Sequence, residues 1–111
     1  MSEDRLTQEC YLWFHAQYPD FRSLLFHVPN GGARNAREGA KMKTMGVTRG
    51  VSDFIFLWKG RAFFIELKTL SGTQSKDQLI WEEDVKLHGF DYYIIRTLTD
   101  FKKTITLILC L

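Results

Sequence analysis

A chain of 111 residues is of single-domain size, long enough for a modest core without disulfide or metal staples. Hydrophobic residues make up 45% and charged residues 25%, which excludes a disordered chain; no apolar run reaches the roughly 20 residues of a membrane span, and Ser2-Glu3-Asp4-Arg5 lacks a signal-peptide core. Cys10 and Cys110, at opposite ends, make neither a disulfide framework nor a zinc site, so a reduced, cytoplasmic setting is expected, and a net charge of +2 diagnoses no nucleic-acid partner unless its distribution does.

Residues 3–18 read as a helix. Ser2 can cap it, Glu3 and Asp4 suit its first turn, and Pro19 ends it. Leu6, Cys10, Trp13 and Phe14 form the apolar stripe. Glu9 falls at the edge of that stripe, where it could reach inward to the sheet or stay solvated on the flank. Leu24–Val28 reads as a short strand, stopped by Pro29 and an Asn30-Gly31-Gly32 turn. His27, at its end, is either an ordinary half-buried histidine or a phosphate contact.

From Arg34 to Arg49 the chain is basic, with Arg34, Arg37, Lys41, Lys43 and Arg49 against Glu38 alone. Most of this stretch can be helical, with Gly46 as its stop. Arg34, Arg37 and Lys41 recur at i, i+3, i+7 and share one face. Charge runs are usually solvated faces. This one leads straight into the stretch described next, so it could line a groove and neutralise backbone phosphates without reading bases.

Two apolar runs follow, Phe54–Trp58 and Ala62–Ile65, with Lys59-Gly60 between them. A two-residue gap containing Gly signals a β-hairpin. If the loop is those two residues, Trp58 pairs with Arg61, and Asp53 lies opposite Glu66. Directly opposed residues share a face with Cβ atoms about 5 Å apart. Lys68, two residues beyond Glu66, points the same way. Both strands are apolar on both faces, so the hairpin is expected to be central and covered. Opposed carboxylates there destabilise the pair unless a hard divalent cation sits between them. Mg²⁺ takes one or two carboxylates and leaves its other positions to water and phosphate oxygens. A nearby Lys can orient or deprotonate an attacking water, or balance developing charge.

Thr69–Gln74 is a mostly polar loop. Ser75-x-x-Gln78 then opens a helix as a capping box, and Gly89 closes it after His88. Trp81 reads as core, and Glu82, Glu83 and Asp84 as an outward face. Asp91–Thr97 reads as a strand, with Arg96 either in a groove or in a salt bridge. The stretch from Thr99 to Leu111 fits a strand through Thr104–Leu107, or a helix through Phe101, Ile105, Ile108 and Leu109. It is apolar over more than one face, and a small chain rich in aromatics has limited means to cover it. A homodimer with this segment at its interface is therefore expected.

Asp53, a hairpin, then Glu66-Leu67-Lys68 resembles the PD-(D/E)XK nuclease signature. The wider pattern is similar to its VRR-NUC branch, the virus-type replication-repair nucleases. Pro29-Asn30-Gly31-Gly32, Gly46 through Asp53, Ile65–Lys68 and Ser75–Gln78 carry the likeness, in order, over most of the chain. Ser52 stands where that family usually has Pro, which alters strand entry but supplies no ligand.

The resemblance implies a single nuclease domain over 1–111, of α/β class, with a mixed sheet flanked by helices on both faces. It tips the last segment to a helix, capped by Asp100 or Thr99. It implies Mg²⁺ or Mn²⁺ held by Asp53, Glu66 and the Leu67 backbone carbonyl, with Glu9 as the acidic residue of the first helix. Lys68 would serve the attacking water, and Gln78 would lie near the active site in a role expected to compete with its capping. The implied activity is hydrolysis of DNA, with branched, flapped or Holliday-junction substrates, in the standalone form typical of phage genomes. Cutting both strands of a junction would need a homodimer. A catalytically silent DNA-binding subunit and a nuclease acting on RNA are the alternatives.

Overall fold

The computed structural model describes residues 1–29 and 35–111. The expected Asn30-Gly31-Gly32 turn and Arg34 lie outside the described residues. Chain order is α1 (Glu3–Gln17), a 3₁₀ helix (Pro19–Leu24), β1 (Leu25–His27), α2 (Ala36–Thr44), β2 (Phe54–Trp58), β3 (Arg61–Leu67), α3 (Lys76–Leu87), β4 (Asp91–Ile95) and α4 (Leu98–Leu109). This is the expected sequence of elements with one 3₁₀ turn added after Pro19, where a Pro at the first position favours helical φ.

The strands form one mixed sheet in the order β1-β2-β3-β4. β1 and β3 run antiparallel to β2, while β4 runs parallel to β3 and is reached through α3. The hairpin strands are therefore the two central ones. Parallel neighbours need a crossover, and α3 supplies it.

The two sheet faces are unequal. One presents Leu25, Phe54, Phe56, Phe63, Ile65, Leu67 and Ile95 to Leu6, Cys10 and Phe14 of α1 and to Phe101, Ile105 and Ile108 of α4, all buried. Each such aliphatic or aromatic side chain contributes about 1.5–3 kcal/mol on leaving water. Rings meet edge-on, Phe14 on Phe56 at 5.4 Å and Trp13 on Phe101 at 5.9 Å. The other face is covered by α3 over β3 and β4, where Trp81 meets Phe64 edge-on at 4.8 Å and also touches Tyr92.

The expected two-sided cover of the hairpin holds for β3 but not for β2. Ile55 is half-buried and Leu57 is exposed on the α3 side, because one 12-residue helix spans only part of the sheet. The C-terminal segment is a helix, but its cap is Thr97, whose hydroxyl accepts from the Asp100 N–H at 3.1 Å, not Thr99 or Asp100. Nor does α4 need a second chain to cover it. Phe101, Ile105 and Ile108 sit in the core, and Leu107 is its one large apolar side chain left mostly exposed. Among the described residues no helix is long and apolar enough to cross a membrane.

Candidate active site

The hairpin turn is the two-residue Lys59-Gly60, with φ of +49° and +75°. Positive φ at both central positions is the type I′ pattern that matches strand twist. The ladder then runs Trp58↔Arg61 through Phe54↔Ile65. One further step sets Asp53 across from Glu66, the register expected from the sequence.

Asp53 stands where the ladder ends. Its carbonyl accepts from Val28 N–H at 2.8 Å and from His27 Nδ1 at 2.9 Å, which ties β1 to the start of β2. Its carboxylate Oδ2 accepts from the Leu67 N–H at 2.6 Å, so the side chain is anchored between Glu66 and Lys68.

Glu66 has no exposed surface. Its Oε2 accepts from Gln78 Nε2 at 2.7 Å and its Oε1 from the Tyr92 hydroxyl at 3.1 Å. Burial first, and then the Asp53 charge, push its carboxyl up to about 7, against the opposing pull of Tyr92 and Lys68. Lys68 is 6% exposed. Its Nζ lies 3.7 Å from Glu66 Oε2 and 4.0 Å from Glu3 Oε1, and its backbone N–H continues the sheet by donating to the Ile95 carbonyl.

Ser75 and Gln78 form the full capping box, with the Gln78 side-chain oxygen accepting from the Ser75 N–H. Capping and contact with the carboxylate were expected to compete. They do not, because the amide uses its oxygen for one and its nitrogen for the other.

No family model matches this sequence, and no curated protein matches it. Among solved structures, the whole chain aligns with 90% of a VRR_NUC domain protein, at a TM-score of 0.84 and 21% identity. The fold is that of a VRR_NUC domain.

On this VRR_NUC fold the remaining expected residues divide. Glu9 does not join the carboxylates. It pairs with Arg5 at 3.5 Å and lines a separate cleft of about 340 Å³ with Thr69, Ser71 and Leu98. The acid that α1 brings toward Lys68 is Glu3, in the first turn: the Leu6-Cys10-Phe14 flank of α1 packs in the core, and its N-terminal turn reaches the Lys68 end of β3. The carboxylate pair lies on the α3 side of the sheet, where Gln78 and Tyr92 reach Glu66. Tyr92 also went unread in the sequence. It pairs with Phe64 across the parallel β3–β4 ladder, two residues before Glu66 on the same face. A hairpin turn announces its register; a crossover through a helix does not.

Arg96 lines the same cleft as Glu9, and among the described residues it forms no salt bridge. Its guanidinium donates to the carbonyls of Thr69 and Gly72, each at 2.7 Å, and so clamps the loop between Lys68 and the capping box. Glu82 is not an outward residue either: it accepts from Gln74 and pairs with Lys86.

Arg37, Lys41 and Lys43 are exposed on α2, a helix with no buried residue, and Arg49 is exposed beyond it. Gly50 docks the end of this basic segment onto α3. Its φ is +81°, and a Cβ there would fall 2.2 Å from the Asp77 carbonyl oxygen, one residue from Gln78.

Among the described residues no group of three or more His, Cys, Asp or Glu gathers for a metal. What stands together is a pair of hard carboxylate donors. That fits an ion satisfied by one or two carboxylates, and each Glu66 oxygen keeps a lone pair beyond the hydrogen bond it accepts.

Proposed function

We propose that this chain is a Mg²⁺- or Mn²⁺-dependent endonuclease that hydrolyses DNA phosphodiester bonds in branched, flapped or four-way-junction substrates. The observation that carries this reading is Glu66. It is fully buried, faces a second carboxylate across the hairpin, and has Lys68 as its neighbouring cation. A hydrophobic sheet gains nothing from such a pair. The likeness to a VRR_NUC domain protein supports the reading at the level of fold.

Asp53, Glu66 and the Leu67 carbonyl would hold the ion. When bound, it supplies positive charge against the charge that develops on the phosphate oxygens. Lys68 orients a water for attack on phosphorus; as the new P–O bond forms, the bond to the leaving oxygen breaks, and that oxygen departs with a proton. Gln78 keeps the Glu66 carboxylate turned. Arg34, Arg37, Lys41, Lys43 and Arg49 neutralise backbone phosphates, which favours recognition of DNA shape over sequence. Paired cuts across a symmetric junction require two sites related by a two-fold axis, hence a homodimer on that substrate.

A nicking assay on labelled duplex, flap and junction DNA, and on the same structures in RNA, with Mn²⁺ or with EDTA, tests this. Metal-dependent cleavage of branched DNA is the expected result. Tight binding without cleavage would instead make the chain a silent DNA-binding subunit, and cleavage confined to RNA would move the substrate.

A further inference from the structure

The two donors on Glu66 cannot turn round. Gln78 accepts from the Ser75 N–H through Oε1, so its amide must present Nε2 to Glu66. On the other side, Gln74 Nε2 donates to Glu82 Oε1 at 2.9 Å and to the Tyr92 hydroxyl oxygen at 3.5 Å. A phenol has one hydrogen. With its oxygen accepting from Gln74, that hydrogen goes to Glu66 Oε1. Glu82 is held in turn by Lys86. A chain of polar groups thus runs from the outside of α3 through Gln74 and Tyr92 to Glu66, and each link sets the direction of the next.

We infer that Tyr92, backed by Gln74, is a positioning residue for divalent-metal binding: together with Gln78 it fixes the Glu66 carboxylate as an acceptor on both oxygens in one rotation. An arriving ion then meets a preset ligand instead of a rotating one. This inference rests on the metal-site reading above. Partners that hold a ligating carboxylate typically change metal affinity 10- to 100-fold when removed.

The test is Mn²⁺ binding to the full chain without DNA, followed by the EPR signal of free Mn²⁺, for wild type, Tyr92→Phe, Gln74→Met and Glu66→Gln. Tyr92→Phe keeps the ring against Trp81 and removes only the hydroxyl. It is expected to weaken Mn²⁺ binding by about 10-fold or more, with metal-free DNA affinity and thermal unfolding near wild type. Gln74→Met should weaken it in the same direction by less. A folded Tyr92→Phe protein with wild-type Mn²⁺ affinity overturns the inference and leaves the metal site standing. If Tyr92→Phe does not fold, Gln74→Met decides alone, and unchanged affinity there overturns it. A wild-type chain without a Mn²⁺ site that Glu66→Gln abolishes overturns the metal reading and this inference together.

Discussion

At the scale of single residues, Glu66 ties the stability of the fold to the proposed activity. Its carboxyl sits at about 7 in the fold against an ordinary 4.5. The folded chain therefore holds this proton more tightly than the unfolded chain does. The associated stability is fully present below about pH 4.5 and is lost as pH rises through about 7, an effect on the order of 3 kcal/mol. In EDTA, Glu66→Gln should melt below wild type at pH 5, because its NH₂ group meets a donor that cannot turn, and should gain on wild type as pH rises to 8, where wild type carries the buried charge. The same substitution should abolish metal-dependent cleavage, because it removes a ligand charge with little change of shape. Thermal unfolding at the two pH values, with a cleavage assay beside it, checks both. A folded variant that still cuts would remove Glu66 from the chemistry.

At the scale of elements, the junction between the basic segment and α3 is the sensitive point. Gly50→Ala places a methyl against the backbone of Asp77 and forces a non-glycine residue to φ of +81°. Left-handed strain and overlap together should cost about 3 kcal/mol. Gly60→Ala has similar φ but open space around it, so it should lose only the conformational part, about 1 kcal/mol. Equal losses in urea unfolding would mean that packing against α3 carries no weight. On α2, Arg37→Ala with Lys41→Ala should weaken DNA binding across all sequences. It should also flatten the log–log salt slope by about 0.9 for each duplex phosphate that is no longer neutralised. Metal affinity should hardly move. A double variant with the wild-type slope would return this helix to a solvated face.

At the scale of the whole molecule, the aromatic richness that pointed to a second chain is largely absorbed by one. Phe14, Phe54, Phe56, Phe63 and Phe101 are all buried between the sheet, α1 and α4. The case for a homodimer therefore rests on the substrate and not on an uncovered helix. If junction cleavage needs two copies, paired cuts at limiting protein should rise with the square of protein concentration, while nicking of a flap should rise linearly. Paired cuts that stay first-order, with the protein sedimenting at the 13.0 kDa of one chain, would leave the dimer without support.

Much of this was legible in the sequence because it is local. A two-residue turn and the period of two along each strand bring Asp53, Glu66 and Lys68 together with no knowledge of the rest of the chain. Caps at Ser2 and Ser75 mark helix starts, since a side-chain oxygen three residues before an orphan N–H leaves a visible spacing. Tertiary structure alone decided which remote groups reach those carboxylates. Helix phase placed Glu9 near the right face, but with the Leu6-Cys10-Phe14 stripe of α1 seated in the core it is Glu3 of the first turn that reaches Lys68. Tyr92 reaches Glu66 through a parallel pairing whose register comes from how α3 packs, not from any turn. Arg96 finds backbone carbonyls, which have no signature in side-chain spelling. Contacts set by packing between elements carry no short-range spacing to read, and such contacts set the surroundings of Glu66.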